Sequence, residues 1–382
     1  MIKKHKKLNK VVVVGDIHAG MYSNSYEKFE IVKSFFYDQL IPYLIKLKQE
    51  FSNDNLTLIM LGDTFDIKQQ ISVVIQNSVI GIFEELSSIL DTYVLVGNHD
   101  MPIASNPNIN SIRILNHIEN IQVVSDENGL SLVDLKDRNH YLFPYNNSAE
   151  KEKNIIDSLA DGSILYMHTE IAGFHYEGVP VDASKHNQIS DFNKFKQIIS
   201  GHIHKKQEIL NILFTGTPYH IRKGEDGNEP GYWLFDFSKD EIEREYIENK
   251  VSPRYIKLDY EFFRDSDESD IIPIIENNYV DIKTPYTLTA PIEKVALIEK
   301  YGNKCKTLEF TARKPTDLKL ENIIGSNGIE LDNFSISSTI SEFFKDNNSF
   351  KSGKNSYILD GKTKRELEEK ILGSYNKHKY NE

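Results

Sequence analysis

The stretch VVVVGDIH, Val11 to His18, shows how much of the chain is organised. Four apolar residues, enough for a short buried strand, are followed by a glycine and then by a carboxylate and an imidazole two positions apart. Side chains two positions apart in extended backbone point the same way, so Asp16 and His18 can act on one ligand. This stretch therefore predicts a buried strand that ends at a candidate metal or catalytic site.

Four later stretches repeat this pattern of an apolar run that ends in a cluster of Asp, Asn, His or Gly. Together with the first, the runs are Val11–Val14, Leu58–Leu61, Tyr93–Val96, Ile164–Met167 and Gln197–Ser200. Between them, Tyr26–Lys48 and Val73–Leu90 have apolar residues at the three- and four-residue spacing of helices. Apolar strands that alternate with helices predict an α/β fold with a sheet covered on both faces. Ligands of such sheets bind beyond the carboxyl ends of the strands, so we expect the polar clusters to converge.

Composition is that of a soluble globular protein with room for two or three domains: 382 residues, 39% hydrophobic and 27% charged. No apolar run approaches the ~18 residues that a membrane helix needs. Val11–Val14 is also too short for the apolar core of a secretory signal peptide, so we expect no signal peptide.

Cys305 is the single cysteine, which excludes internal disulfides and a thiolate metal site. We therefore expect a reducing, cytoplasmic location, the host cytoplasm if the protein is viral.

The net charge of -12 argues mildly against DNA binding, because a duplex is a polyanion. Two bound divalent cations would, however, add four positive charges where a phosphate must lie. Two basic clusters, Lys3–Lys7 and Lys194–Lys206, could contact a flanking nucleic-acid backbone or could be ordinary solvated surface.

Five polar clusters carry the candidate chemistry. They are Asp16-Ile17-His18, Gly62-Asp63-Thr64-Phe65-Asp66, Gly97-Asn98-His99-Asp100, His168 and Gly201-His202-Ile203-His204. Carboxylate, imidazole and amide oxygen together suit Mn, Fe or Zn better than Ca or Mg. Asp63 can bridge two ions, because a carboxylate has two oxygens with lone pairs to spare. The set predicts a dinuclear site at which hydroxide attacks a phosphate in line.

His99 is the candidate general acid. If Asn98 coordinates a metal, the neighbouring imidazole can reach the leaving oxygen and protonate it or stabilise its charge. Such a histidine usually needs an orienting carboxylate. Asp66, three residues after Asp63, is the candidate for that role.

The character of the sequence changes near residue 240, where charged residues dominate Lys239–Lys250. We therefore divide the chain into a first domain at 1–240, a small α/β unit at 252–314 and a terminal segment at 335–382. In the second we expect strands and helices near Tyr255–Leu258, Ile271–Glu276, Tyr279–Lys283, Ile292–Tyr301 and Thr307–Thr311. In the third we expect two helices around a polar loop, Asp346–Asn355. Their apolar faces could pack on the same chain or on a partner.

In their order and spacing, the five clusters resemble those of the calcineurin-like metallophosphoesterases. The resemblance implies a four-layer α/β/β/α sandwich with a dinuclear centre and, in this chain, a capping domain at 252–314. It implies that one ion is held by Asp16, His18, Asp63 and His204, and the other by Asp63, Asn98, His168 and His202. It also implies that His99 is the catalytic histidine and that Asp66 is its partner.

A narrower resemblance involves Thr215-Gly-Thr-Pro-Tyr219, Gly231–Asp236 and the Gly-Asp-Thr-Phe-Asp form of the second cluster. These are similar to the SbcD-type DNA-repair nuclease subunits, which include the recombination endonuclease subunits of T-even-like phages. The resemblance implies a manganese-dependent exonuclease and single-strand endonuclease that acts on DNA. It also implies a homodimer, through helices that flank Phe65–Leu90, and an SMC-like ATPase partner bound by the C-terminal helices. The chain has no phosphate-binding loop of its own, so any use of ATP must come from that partner.

Two alternatives remain open from the sequence. The first is a phosphatase or a phosphodiesterase for small substrates, because the chemistry at phosphorus is the same for both classes. The second is a non-catalytic scaffold subunit with an inactive site. The presence of every expected ligand and of His99 opposes the scaffold.

Overall fold

The structure, a computed structural model, describes residues 7–51, 56–103, 106–285, 291–312, 349–352 and 355–358. Contacts divide the chain into two compact units, Met1–Ala312 and Arg313–Glu382. Within the described ranges, no helix combines the length and the apolar composition that a membrane crossing requires.

Among the described residues, the strands of the first unit belong to four sheets, two of six strands, one of three and one of two. In chain order its strands are β1 Lys10–Val14, β2 Leu56–Met60, β3 Asp91–Leu95, β4 Ile121–Val124, β5 Leu130–Val133, β6 Asn139–Leu142, β7 Ile164–His168, β8 Ile171–Ala172, β9 Asn187–Gln188, β10 Gln197–Gly201, β11 Gln207–Ile209, β12 Ile212–Phe214, β13 Gly231–Asp236, β14 Glu243–Glu248, β15 Tyr255–Asp259, β16 Tyr279–Thr284 and β17 Thr307–Ala312. Helical segments are Met21–Asn24, Tyr26–Ser34, Phe35–Leu40 (a π-helix), Ile41–Glu50, Val73–Ile89, Arg113–His117 (3-10), Ala149–Ser158, Ile189–Phe192 (3-10), Tyr260–Asp265, Glu268–Ile275 and Pro291–Tyr301.

Two six-stranded sheets form the main body. The first has the order β14-β13-β1-β2-β3-β4 and the second the order β11-β12-β10-β7-β6-β5. The central strands β1 to β4 run parallel, as do β12, β10, β7 and β6, whereas β13, β14, β11 and β5 are antiparallel to their neighbours. Parallel strands end on the same side, so each sheet brings its polar clusters to one edge.

Alternating side chains of β1 show how the layers are stacked. Val11 and Val13 pack in one core with Tyr166 of the second sheet. Val12 and Val14 point the other way, into a core that includes Phe35 and other residues of the long helices. Side chains on the outer face of the second sheet pack against the helix Ala149–Ser158 and neighbouring segments, and together they form a third core. The predicted four-layer α/β/β/α sandwich is confirmed, with two sheets where strand periodicity alone predicted one.

The predicted strands and helices of the main body are found with shifts of one or two residues. The segment predicted as the helix Tyr26–Lys48 is continuous from Tyr26 to Glu50 but passes through the π-helix Phe35–Leu40, in which Phe35 and Phe36 are fully buried. The charged stretch Lys239–Lys250 holds the strand β14, so the first sheet extends beyond residue 240. As an edge strand, β14 keeps its charged side chains in solvent, which explains why composition pointed to a boundary.

Strands β15, β16 and β17 form a third, parallel sheet around a separate small core that includes Ile271, Ile282 and Tyr301. The strands and helices expected in this part of the chain are present, and the helix Tyr260–Asp265 is an addition. In the second unit, β18 (Ser349–Ser352) and β19 (Asn355–Ile358) form an antiparallel hairpin where a polar loop was expected. The two predicted helices of 335–382 lie outside the described residues, and the three-domain division remains a prediction.

Candidate metal centre

The candidate ligands lie directly after the strands β1, β2, β3 and β10 or, as with His168, at the end of β7. Three of these residues have positive φ angles: His18 at 43°, Asp63 at 47° and His202 at 81°. Positive φ is uncommon for residues with a Cβ atom, although Asp and His tolerate it better than most, and such conformations cluster at functional sites. The turns therefore place backbone strain where the candidate chemistry lies.

Motif glycines allow these turns to approach one another closely. A Cβ atom on Gly97 would lie 2.2 Å from Asp63 Oδ1, and one on Gly15 would lie 2.1 Å from the carbonyl oxygen of Gly216. Gly216 belongs to the Gly-Thr-Pro stretch, whose Tyr219 hydroxyl donates to the carbonyl of Ile17. That stretch consequently supports the turn that carries Asp16 and His18.

The two sheets bring all seven predicted ligands and His99 together. Potential ligand atoms lie within 4.8 Å of one another in each of three groups: Asp16, His18 and His204; Asp63, His168 and His202; His18, Asp63 and His99. The amide oxygen of Asn98 lies 2.9 Å from both His168 Nε2 and His202 Nδ1. The first two groups correspond to the two predicted ion sites, and Asp63 lies 3.6 Å from His18 Nε2, so its carboxylate can serve both.

Outer contacts determine which nitrogen of each imidazole faces inward. His168 Nδ1 lies 2.8 Å from the carbonyl oxygen of Leu61, which can only accept, so this nitrogen carries the proton. His204 Nδ1 donates in the same way to Glu225 Oε1 at 2.8 Å, and His202 Nε2 donates to a carboxylate, Glu170 Oε1, at 2.8 Å. Such contacts are typical of metal-binding histidines, because they fix the tautomer and the ring orientation.

The inward nitrogens consequently present lone pairs to one another. His18 Nε2 and His204 Nε2 are 3.2 Å apart, and His168 Nε2 and His202 Nδ1 are also 3.2 Å apart. Asp16 Oδ1 is buried beside them without a hydrogen-bond partner among the described residues. Acceptor atoms this close repel each other unless a cation lies between them, so the residues present fit two divalent metal ions.

Charge reinforces this arrangement. Burial alone would raise the pKa of the Asp63 carboxyl, but the imidazoles of His168 and His18 outweigh it, and the pKa falls well below its usual range. Burial lowers the pKa of His18 and favours its neutral, metal-binding form. Burial would also lower the pKa of His168, but Asp63 and Asp16 outweigh it and raise the pKa to about 9, so an ion bound there would take the place of a proton. The ionised carboxylate of Asp63 is a suitable bridge between two cations.

Asp66 differs from its predicted role. His99 Nδ1 lies 2.6 Å from the backbone carbonyl oxygen of Asp66, whereas the Asp66 carboxylate lies 3.1 Å from His18 Nδ1. The turn after Asp63 directs the side chain toward His18 and leaves the carbonyl to orient His99. His99 is also held through its backbone N–H, which donates to Asp63 Oδ1 at 2.7 Å.

Three carboxylates that support the centre were missed from the sequence. Glu225 and Glu170 hold His204 and His202, and Asp100 accepts from the backbone N–H groups of Gly97, Thr64 and Phe65. Asp100 stands inside a motif and Glu170 follows a candidate ligand by two residues, so both could have been suspected. Glu225 has no such signal.

An open cleft of about 390 Å³ leads to the centre. Its lining residues come from both sheets and from two loops: Asp63, His99, Tyr176, Glu177, Val179, His202, His204, Lys205 and Arg222. The candidate acid and three of the predicted ligands, Asp63, His202 and His204, thus line a cleft open to solvent, although Asp63 itself is only 2% exposed.

Comparison with known proteins agrees with this geometry. Residues 9–206, more than half of the chain, match the family described as calcineurin-like phosphoesterase. Exonuclease subunit 1 of Enterobacteria phage T4 is 26% identical over 320 residues, which cover 78% of this chain and 86% of that protein. A solved archaeal phosphodiesterase is 16% identical and covers 62% of this chain and 99% of its own, with a TM-score of 0.31, too low to establish a common fold. On the family match and the sandwich topology, the chain belongs to the calcineurin-like phosphoesterase family.

Proposed function

We propose that this protein is a manganese-dependent nuclease that hydrolyses DNA phosphodiesters, as an exonuclease and a single-strand endonuclease. The observation that carries the hydrolytic part is the convergence of inward-facing lone pairs around Asp63, beside His99 in an open cleft. The family uses divalent metal ions, and the nitrogen and oxygen ligand set favours manganese over magnesium.

One ion would be held by Asp16, His18, Asp63 and His204, and the other by Asp63, Asn98, His168 and His202. When bound, the ions would supply a hydroxide near neutral pH and neutralise charge on the phosphate. The protein residues hold this arrangement rigid, because each of His168, His202 and His204 is fixed by an outer acceptor.

His99 would transfer a proton through Nε2. Its Nδ1 faces the carbonyl of Asp66, which only accepts, so Nδ1 keeps its proton throughout. Nε2 is then the nitrogen free to protonate the leaving oxygen or to donate a hydrogen bond to it. The short contact to Asp66 fixes the ring while this happens.

The similarity to a phage exonuclease subunit over most of both chains supports a nucleic acid as the substrate, and we propose DNA. That relative is a subunit, so we also propose an SMC-like ATPase partner, bound through 335–382. We expect a homodimer through helices that flank Phe65–Leu90, and we propose that its interface includes the helix Val73–Ile89 within this region. Val73 and Val74 at its start are 68% and 57% exposed, which supports an interface there.

A phosphodiesterase for small substrates is the second candidate. Its support is the volume of the cleft, about 390 Å³, which lies in the range of sites for small molecules. The ion site would serve either substrate class, so the substrate must decide between them.

The test compares end-labelled single- and double-stranded DNA with a nitrophenyl monoester, each in the presence of Mn²⁺. We expect DNA cleavage by the parent and a loss of at least about 10²-fold in His99→Ala, the scale of a lost general acid. Intact DNA beside a hydrolysed monoester would favour the second candidate. If both substrates stay intact, even with the ATPase partner added, the chain is a scaffold.

A further inference from the structure

The cleft contains two lysine or arginine side chains among its lining residues, Lys205 and Arg222. The floor of the cleft consists of the carboxylates and imidazoles already described. Lys205 directly follows His204, and Arg222 lies on the loop that carries Glu225. Both cations therefore lie beside the candidate ion site without being part of it.

The guanidinium of Arg222 makes one long ion-pair contact among the described residues, to Glu225. Its Nε lies 3.7 Å from Glu225 Oε1, and it makes no hydrogen bond to the part of the chain that the structure describes. The Glu225 carboxylate is already occupied by His204 Nδ1 and by the backbone N–H of Ile221, at 2.8 and 2.6 Å. By contrast, Arg138 donates to Asp134 Oδ2 at 2.6 Å.

The backbone around Arg222 is nevertheless fixed. The N–H of Glu225 donates to the carbonyl of Arg222 at 3.3 Å, and the N–H of Lys223 donates to the hydroxyl of Tyr22 at 3.2 Å. Lys223 Nζ pairs with Glu309 on β17 at 2.6 Å. The loop is thus tied on one side to the ion site and on the other to the third sheet, and the side chain of Arg222, 56% exposed, remains at the cleft.

We propose that Arg222, together with Lys205, binds the phosphate next to the scissile one in a polynucleotide. This subsite rests on the proposed nuclease function and names the feature by which the enzyme would recognise its substrate class. Arg222 lines the cleft with Asp63 and His99. Its contact to Glu225 holds it one residue away from the candidate ligand His204, so we place its donors beside the reacting group. A planar guanidinium with free donors suits a phosphate diester, and a small ester has no second phosphate to offer.

A binding titration tests this subsite without relying on catalysis. The full chain carrying His99→Ala and loaded with Mn²⁺ is titrated with a short single-stranded oligonucleotide at several salt concentrations. Adding Arg222→Gln should raise Kd about tenfold and reduce the slope of log K against log salt by about 0.7, one phosphate contact on a single strand. Arg222→Lys should restore part of the affinity, and Lys205→Gln should act in the same direction as Arg222→Gln.

Arg244→Gln is the matched control, because Arg244 is already paired with Glu208 at 2.7 Å and does not line the cleft. Its Kd should stay within about twofold of the parent. An unchanged Kd and salt slope in Arg222→Gln would overturn the subsite while leaving the nuclease function intact. A parent that neither binds nor cleaves DNA would overturn both.

Kinetics on a small diester distinguish a contact with the scissile phosphate from a contact with the neighbouring phosphate. In an otherwise unaltered chain at saturating Mn²⁺, Arg222→Gln should lower kcat/KM for the oligonucleotide about tenfold more than kcat/KM for bis(p-nitrophenyl) phosphate. An equal loss on both substrates would place Arg222 on the scissile phosphate and would contradict the assignment to its neighbour.

Discussion

His99 Nδ1 lies 2.6 Å from the backbone carbonyl oxygen of Asp66, and the carboxylate of the same residue lies 3.1 Å from His18 Nδ1. Asp66 therefore contacts the candidate general acid through its backbone and a candidate metal ligand through its side chain. The carbonyl is part of the backbone and remains after any substitution at this position, whereas the carboxylate is removed when the side chain is replaced. Substitution at residue 66 can separate support of the acid from support of the ion site.

Asp66→Ala should weaken Mn²⁺ binding by about 10- to 100-fold, the usual effect of losing an outer partner of a metal-binding histidine. At saturating Mn²⁺ its kcat should stay near that of the parent, because the carbonyl still orients His99. His99→Ala should show the reverse, with Mn²⁺ affinity retained and kcat lowered at least about 10²-fold. Metal titrations of activity measure both quantities.

If Asp66→Ala instead retained its Mn²⁺ affinity and lost kcat as His99→Ala does, the carboxylate would be the partner of His99 in solution. The separation of functions drawn from the structure would then be wrong.

Glu225→Gln and Glu170→Gln should each lower Mn²⁺ affinity by about 10- to 100-fold, because each carboxylate holds one imidazole of the centre. Glu229→Gln provides the control. It removes a carboxylate from the same loop as Glu225, but Glu229 is 70% exposed and pairs with Lys206 on the surface. Calorimetric titration with Mn²⁺ compares the three, and equal affinities would show that the outer carboxylates are dispensable.

Gly15→Ala should destabilise the fold, since its Cβ would lie 2.1 Å from a backbone oxygen of Gly216 that has little room to move. We expect a loss of about 1–3 kcal/mol in the free energy of unfolding. Gly81→Ala, in the helix Val73–Ile89, meets no atom within 4 Å and should instead stabilise by roughly 0.5–1 kcal/mol. Urea unfolding of the two variants should shift in opposite directions, and equal shifts would refute the close approach.

Glu152 should make stability depend on pH. Burial raises the pKa of its carboxyl from about 4.5 to about 7, despite hydrogen bonds that include one from Asn187. The folded state therefore retains a proton between these values that the unfolded state loses, so the free energy of unfolding falls as pH rises from 4.5 to 7, by up to ~3 kcal/mol. In Glu152→Gln the free energy of unfolding should fall less over the same pH range, by the contribution of this carboxyl. Parallel pH profiles of Tm for parent and variant would count against the buried acid.

The strands, and the convergence of the candidate ligands at their ends, could be predicted from the sequence. Each candidate stands at the end of an apolar run, and that pattern lies within one stretch of the chain. It did not predict Glu225, which lies 21 residues after His204 and reaches it only because the loop folds back. The edge strand β14 was missed for a related reason. Its charged side chains face solvent, so nothing in their composition distinguishes a paired strand from a linker.

The role of Asp66 shows a third limit. Spacing placed Asp66 near His99, and the structure agrees with that. Which of its groups faces the imidazole depends on the conformation of the turn from Asp63 to Asp66, and no residue pattern specifies that conformation in advance.

The most direct test of the centre is the number of Mn²⁺ ions bound per chain, measured by equilibrium dialysis with elemental analysis. The facing lone pairs predict two ions for the parent, and fewer for His168→Ala and His204→Ala, each of which removes a ligand from one site. A parent chain that binds no Mn²⁺, or one whose bound count is unchanged by both substitutions, would contradict a dinuclear centre at these residues.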